Sequence, residues 1–258
     1  MRTEEFISSI SGISHGDERF IELKRGLPIG LDSAEEIVLS QKRKKPCTTR
    51  GTFVTGVGKE GFILRLMITM SCLYESNEAS FLVLSPNAVY SELLRLKNID
   101  VTVPYVRTKT DLDMATQTLR ELLLQREFGK GYPHLFIVLD GLEELPECNQ
   151  NGDLAEYREL LDMFIRREDV DVICGAELMK SIFSGYPGAF VGIGNCLITL
   201  RENGKADVTY VGEDASLSLP TPIVYPNTPS ISETVIYLNT LNATVGEMEE
   251  LYVDKGEI

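Results

Sequence analysis

Residues 52–75 combine an apolar strand, a glycine-rich turn and a long apolar helix in immediate succession, and no other stretch constrains the fold as strongly. In Thr52-Phe53-Val54-Thr55-Gly56-Val57-Gly58-Lys59-Glu60-Gly61-Phe62-Ile63, the turn stands where a phosphate-binding loop of pattern G-x-x-x-x-G-K-[ST] would stand. Read without gaps, Gly56 and Gly61 keep the glycine spacing, and the lysine and Ser/Thr positions fall on Phe62 and Ile63. The lysine of such a loop neutralises β- and γ-phosphate charge and its hydroxyl residue holds Mg²⁺. Phe and Ile can do neither. Two other readings keep some phosphate chemistry. Lys59 supplies charge from a shifted position inside the loop, or Gly56-x-Gly58-Lys59 forms a shortened loop in which Glu60 replaces the hydroxyl. A carboxylate beside phosphate is unfavourable by Coulomb's law, although amides at a helix N-terminus attract an anion. The vestigial nucleotide set is thus Gly56, Gly58, Lys59, Gly61, Phe62 and Ile63, with Asp140 further along the chain. Weak Mg-ATP binding stays open, no resident cofactor is expected, and efficient hydrolysis is not expected.

Downstream of the turn, strand and helix patterns alternate. Apolar strands are expected at Phe81–Leu84, Val101–Val103, Leu135–Asp140 and Val170–Cys174. Helices are expected over 62–75, after Pro86 (with Tyr90, Leu93, Leu94 and Leu96), from Thr110 or Asp111 to about Gly129, over Leu154–Arg166, and from about 176. Such alternation predicts an α/β fold, a mostly parallel sheet with helices on both faces. Upstream, 27–31 and 36–39 read as a hairpin; Leu197–Leu200 and Val208–Val211 read as edge strands. The domain is expected to span 26–211, behind a helical lead-in over 1–25. After it comes an acidic extension over 212–258, punctuated by Pro220, Pro222, Pro226 and Pro229.

Composition narrows the function classes. The chain has 258 residues, of which 43% are hydrophobic, enough for a sizeable core. No apolar run reaches the ~18 residues that suggest a membrane span, so this segment is not expected to insert into a membrane. The five cysteines (Cys47, Cys72, Cys148, Cys174 and Cys196) are scattered, with no C-x-x-C spacing, and read as reduced, mostly buried thiols. Neither His15 nor His134 belongs to a cluster with metal-ligand spacing, so no metal site of that kind is expected. The net charge of −14 disfavours nucleic acid as a partner and is compatible with a protein partner. Lys42-Arg43-Lys44-Lys45, the one dense basic run, reads as a solvated loop.

Phe136-Ile137-Val138-Leu139-Asp140 has the form of the strand whose terminal aspartate binds Mg²⁺ beside a phosphate loop. A bare run of this kind is common in buried strands. It gains weight here by following the glycine turn within an α/β unit. The next position, a catalytic glutamate in many ATPases, is Gly141; Glu143 and Glu144 are the nearby carboxylates.

Several segments, in order, resemble the FtsK/SpoIIIE-like ATPase domains. Leu27-Pro28-Ile29-Gly30-Leu31-Asp32 is similar to the segment leading into the first sheet strand, and the glycine turn follows at a similar distance. Leu82-Val83-Leu84-Ser85-Pro86 is similar to a strand ending in Asp-Pro, with Ser85 replacing the aspartate. Leu119-Arg120-x-Leu122-x-x-x-Arg126 resembles the arginine-containing helix before the aspartate strand. Asp140-Gly141 resembles the form found in the later ATPase domains of the type VII secretion ATPases EssC and EccC, and Val172-Ile173-Cys174-Gly175-Ala176 corresponds loosely to the sensor strand. The resemblance covers about 25–205 and implies a RecA-like P-loop fold. It further implies a cytoplasmic domain of a protein anchored in the cell membrane, with neighbouring ATPase domains and exported WXG100-type proteins as partners, and a hexamer only in the full assembly. The departures at Phe62, Ile63, Ser85 and Gly141 fall on nucleotide-handling positions.

Two functions compete. A catalytically degenerate domain would recognise substrate or regulate a type VII secretion motor, with a partner groove around Ile182, Phe183, Tyr186 and Phe190. A working ATPase translocating DNA or protein would instead need Lys59 with Glu143 or Glu144, and an Arg120 or Arg126 finger reaching a neighbouring subunit. The same arginines fit surface ion pairing on a helix. A domain that binds ATP without hydrolysing it differs from the first reading only in affinity.

Overall fold

The computed structural model describes residues 23–24, 26–40, 51–74, 77–96, 99–128, 131–142, 163–164, 166–175, 196–210 and 217–225. The elements are β1 (Pro28–Leu31), β2 (Ile37–Leu39), β3 (Gly51–Thr55), α1 (Lys59–Ser71), β4 (Ala79–Leu84), a 3₁₀ helix (Ala88–Arg95), β5 (Asp100–Thr102), α2 (Lys109–Phe128), β6 (His134–Leu139), β7 (Val170–Gly175), β8 (Cys196–Arg201), β9 (Lys205–Tyr210) and β10 (Thr221–Val224). They build one ten-stranded sheet in the order β2-β1-β10-β9-β8-β3-β7-β6-β4-β5. From β8 to β5 every pairing is parallel; from β2 to β8 every pairing is antiparallel.

Alternate residues of the parallel strands serve two cores, as a pleated strand requires. Val54, Phe136 and Val138 join α1 and the 3₁₀ helix on one face. Phe53, Leu135, Ile137 and Leu139 join α2 on the other, against Leu112, Leu119 and Leu123. The expected α/β architecture with helices on both faces is present. Helix α1 is apolar around most of its circumference, and Phe62, Ile63, Leu64, Leu66, Met67, Ile68 and Met70 are all buried. A helix of that composition belongs inside a fold rather than on its surface.

The start of α2 differs from expectation. Thr108 is its cap, three residues before Asp111: the Asp111 carboxylate accepts from the Thr108 amide (2.9 Å) and the Asp111 amide donates to the Thr108 hydroxyl (3.2 Å). These reciprocal bonds form a capping box.

The domain boundary also shifts. Residues 221–224, assigned by their prolines to an extension, insert as β10 between β9 and β1. Ile223 is 2% exposed in the α1-side core. The sheet therefore runs past 211, and β8 and β9, expected at an edge, lie inside it. Of the expected elements, the lead-in over 1–22, the basic run at 42–45, most of the helix over 154–166, the helix from 176 and the tail beyond 225 lie outside the described residues.

Because β10 joins β1 to β9, Ile223→Ala should lower stability by about 2–4 kcal/mol, read as a lower midpoint in urea denaturation. A chain ending at 211 should lose cooperative unfolding.

Candidate functional site

The turn after β3 closes by backbone conformation. Gly56 has φ 108°, and a Cβ there would lie 2.7 Å from the Leu200 carbonyl oxygen on β8, so only glycine lets the loop pass this strand. Gly58, φ 82°, precedes the first residue of α1 in a left-handed conformation. Val57 between them is 97% exposed. Lys59 is thus the first residue of the helix, as in the shortened-loop reading, and Glu60 occupies the position that follows the lysine.

This register corrects the ungapped one. Gly61 lies within α1, and a Cβ there would meet nothing within 4 Å. Phe62 and Ile63 are 3% and 0% exposed. Phe62 packs edge-on to the Tyr225 ring at 4.9 Å, and both residues belong to the core. They are core side chains of the helix and take no place in a phosphate site.

The sheet order then decides what Lys59 meets. The aspartate strand β6 is not adjacent to β3; β7 lies between them. Two strand spacings come to roughly 10 Å, a gap that the lysine must help to span across the end of β7. Gly175 stands at that end, opposite Val54. A Cβ there would come 3.0 Å from Asp140 Oδ1 and 3.3 Å from Lys59 Nζ, so the missing side chain leaves room for the contact. Lys59 Nζ sits 3.0 Å from Asp140 Oδ1, and the Tyr90 hydroxyl donates to Asp140 Oδ2 at 2.9 Å. Asp140 is 1% exposed, Tyr90 0% and Lys59 9%. Burial pushes the Asp140 carboxyl above the usual carboxylate range, against the lowering pull of Lys59 and the Tyr90 hydrogen bond. Burial, followed by the Asp140 charge, also drives the Tyr90 hydroxyl upward, so it stays protonated and a donor.

The neighbouring positions serve backbone geometry. Gly141 has φ 73°, which explains a glycine where many ATPases carry glutamate. Ser85 is fully buried, and its hydroxyl accepts from the Asn87 amide at 3.1 Å. A Mg²⁺ ion needs an accessible carboxylate and a hydroxyl partner. Here the carboxylate is enclosed by Lys59, Tyr90 and Gly175 and a glutamate follows the lysine, so the described residues at this place do not fit the ion.

Other predicted site residues are dispersed. Arg120 is exposed on α2. Arg126 is turned into the chain, with Nη1 2.6 Å from Asp169 Oδ2 and Nη2 2.7 Å from the Pro133 carbonyl oxygen. Burial works to raise Asp169, but hydrogen bonds from Arg167 and Arg126 outweigh it and hold the carboxyl low. Arg126 therefore ties α2 to the start of β7 through an intrachain ion pair. His134 bonds to buried Asp171 at 2.7 Å at the opposite end of the strands. Cys174 and Cys196 are buried thiols and Cys72 a half-buried one. Glu143, Glu144, Ile182, Phe183, Tyr186 and Phe190 lie outside the described residues. Among the described residues, no group of three or more His, Cys, Asp or Glu side chains could hold a metal, and no helix is long and apolar enough to cross a membrane.

Sequence reasoning missed Tyr90 and Gly175. Tyr90 carried a signal, because a tyrosine buried in an apolar helix needs an acceptor for its hydroxyl.

No family model matches this sequence, and no curated protein matches it either. Solved structures do share its fold. EssC (ATPases 2 and 3) from Geobacillus thermodenitrificans superposes with a TM-score of 0.53 at 10% identity, over 86% of this chain and 50% of its own. EccC (ATPases 2 and 3) from Thermomonospora curvata, solved with a signal sequence peptide, gives 0.53 at 14% identity over 79% of this chain and 41% of its own. The cytoplasmic domain of the same organism's type VII secretion ATPase EccC gives 0.56 at 14% identity, over 90% of this chain and 34% of its own. The chain spans half or less of those solved chains. At such identities the likeness establishes the fold, a RecA-like α/β ATPase fold.

Two outcomes follow from the buried pair. Lys59→Met strands the Asp140 carboxylate and should cost about 3–5 kcal/mol near neutral pH by chemical denaturation. A carboxyl raised on folding stabilises fully below its unfolded pKa and loses that contribution as pH rises through its folded pKa. The parent chain should therefore lose stability as pH rises above the ordinary carboxylate range, and Asp140→Asn should abolish that loss, read by chemical denaturation across pH.

Proposed function

We propose that this chain is a non-hydrolysing ATPase-fold domain of a type VII secretion motor, acting there as a substrate-recognition or regulatory module. The observation that carries the reading is the closed contact of Lys59, Asp140 and Tyr90. The two groups that an ATPase directs at phosphate and Mg²⁺ are spent on each other. Glu60 at the hydroxyl position adds negative charge where the ligand would bring more. Exposed Val57 at the loop tip would suit contact with an adjoining domain better than contact with a phosphate.

The remaining parts of the proposal draw on the fold neighbours. Those solved chains hold more than one ATPase domain, which supports neighbouring ATPase domains as partners; a hexamer formed only in the whole motor is part of the proposal. The EccC chain in complex with a signal sequence peptide supports an export signal as the recognised class, and WXG100-type proteins are the source we propose for it. The cytoplasmic EccC domain supports a cytoplasmic position, and anchoring of the whole protein in the membrane is part of the proposal. The acidic balance of −14 weighs against the alternative of an ATP-driven DNA translocase, which would need a basic face.

Thermal stability with and without millimolar Mg-ATP, together with phosphate release, tests the reading. The expected result is no turnover and no nucleotide-dependent shift beyond that of Lys59→Ala; a tight ligand at a hundredfold excess over its Kd would add about 2.7 kcal/mol. Turnover that disappears in Lys59→Ala and Asp140→Ala would establish the translocase reading instead.

A further inference from the structure

In hydrolysing P-loop domains the strand-end aspartate meets Mg²⁺, usually through water, and this ion keeps several of its waters. The carboxylate must therefore face an open, wet space. Asp140 does not: it is 1% exposed, with Lys59 at one oxygen, the Tyr90 hydroxyl at the other, and the end of β7 closing over the pair at Gly175. The lysine contact is of a kind that an arriving phosphate could displace, because Lys59 sits at the mouth of the loop on a long side chain. The Tyr90 contact is different. Its ring is fully buried in the core beside α1, and a buried hydroxyl that loses its acceptor has no water to turn to.

We infer that Tyr90 is the residue that bars a divalent cation from this site: its hydroxyl competes with a hydrated cation for Asp140 Oδ2 and keeps that oxygen even when an anion draws Lys59 away. Tyr90 acts through Asp140 and is a positioning residue. Any phosphate that reaches the loop is then held without a metal, by Lys59 and the amides of the α1 N-terminus. The inference rests on the reading of the loop as a silent phosphate site, and it identifies what silences it. Loss of the loop lysine does not, since Lys59 is in place; beside the Lys59 contact and Glu60, a tyrosine fifty positions upstream of Asp140 is the part of the closure that an anion does not remove.

The test is Mn²⁺ binding by electron paramagnetic resonance in the presence of ADP, comparing the parent chain, Tyr90→Phe, and Tyr90→Phe combined with Asp140→Asn. Phenylalanine keeps the buried ring, and a thermal melt verifies that the fold survives. Mn²⁺ should bind Tyr90→Phe about tenfold or more tighter than the parent chain, the factor corresponding to one hydrogen bond to a charged group. The added Asp140→Asn should return binding to the parent level. Equal Mn²⁺ affinity in the parent and Tyr90→Phe chains, whether both bind or neither does, would overturn the inference. So would a gain that persists without Asp140. The assay contains no hydrolysable nucleotide, so ATP turnover by the parent chain would remove the functional reading through a separate measurement.

Discussion

A single buried ion pair organises this molecule. Lys59 and Asp140 meet at 3.0 Å where α1 begins and β6 ends, and everything around the contact accommodates it. Gly175 withholds a side chain, Tyr90 supplies a proton to the second oxygen, and Gly58 turns the chain so that Lys59 opens the helix. Burying two charges is costly, and a pair repays the cost only when its remaining lone pairs and protons are satisfied. The Tyr90 hydroxyl serves that end. Burial pushes the Asp140 carboxyl up against the pull of Lys59. Such a pair adds little net stability while sharply penalising the loss of either partner, which makes it better suited to fixing the geometry of the loop than to strengthening the fold.

The sheet explains why the pair can form. With β7 between β3 and β6, the loop and the aspartate are separated by one strand end, and the parallel registers bring Val54 opposite Gly175 and Leu139 opposite Cys174. Ligands of open α/β sheets gather at the carboxyl ends of the strands, and here that place is filled by the protein's own side chains. The antiparallel half extends the sheet from β8 through β9 and β10 to the first hairpin. Tyr225, just past β10, packs against Phe62 at the start of α1, so the far end of the sheet also braces the helix that carries Lys59.

Much of this was legible in the sequence. The continuous apolar runs at 81–84 and 135–139 could be little else than buried parallel strands once a glycine turn and an apolar helix preceded them. Their alternation gave the two-faced architecture. The loop register was harder, because counting glycines cannot tell which one adopts φ 82°; the fold chose Gly58 over Gly61. Tyr90 and Asp140 lie fifty positions apart, beyond any local pattern, and Gly175 has meaning only once β7 is known to lie between β3 and β6. Arg126 looked like a surface residue because a helix pattern does not record the carboxylate waiting at Asp169. β10 was hidden by Pro220 and Pro222, which normally demote a strand. Pro222 is tolerated because β1 meets β10 at one position only, Leu31 opposite Val224, leaving no ladder partner on that side at 222.

The most direct examination of the closed site is a crystal structure of the chain grown with millimolar Mg-ATP. The account predicts Lys59 Nζ still beside Asp140, the Tyr90 hydroxyl still on the other carboxylate oxygen, and no metal ion at the loop. A structure with Lys59 turned to a phosphate and Mg²⁺ held at Asp140 would contradict it.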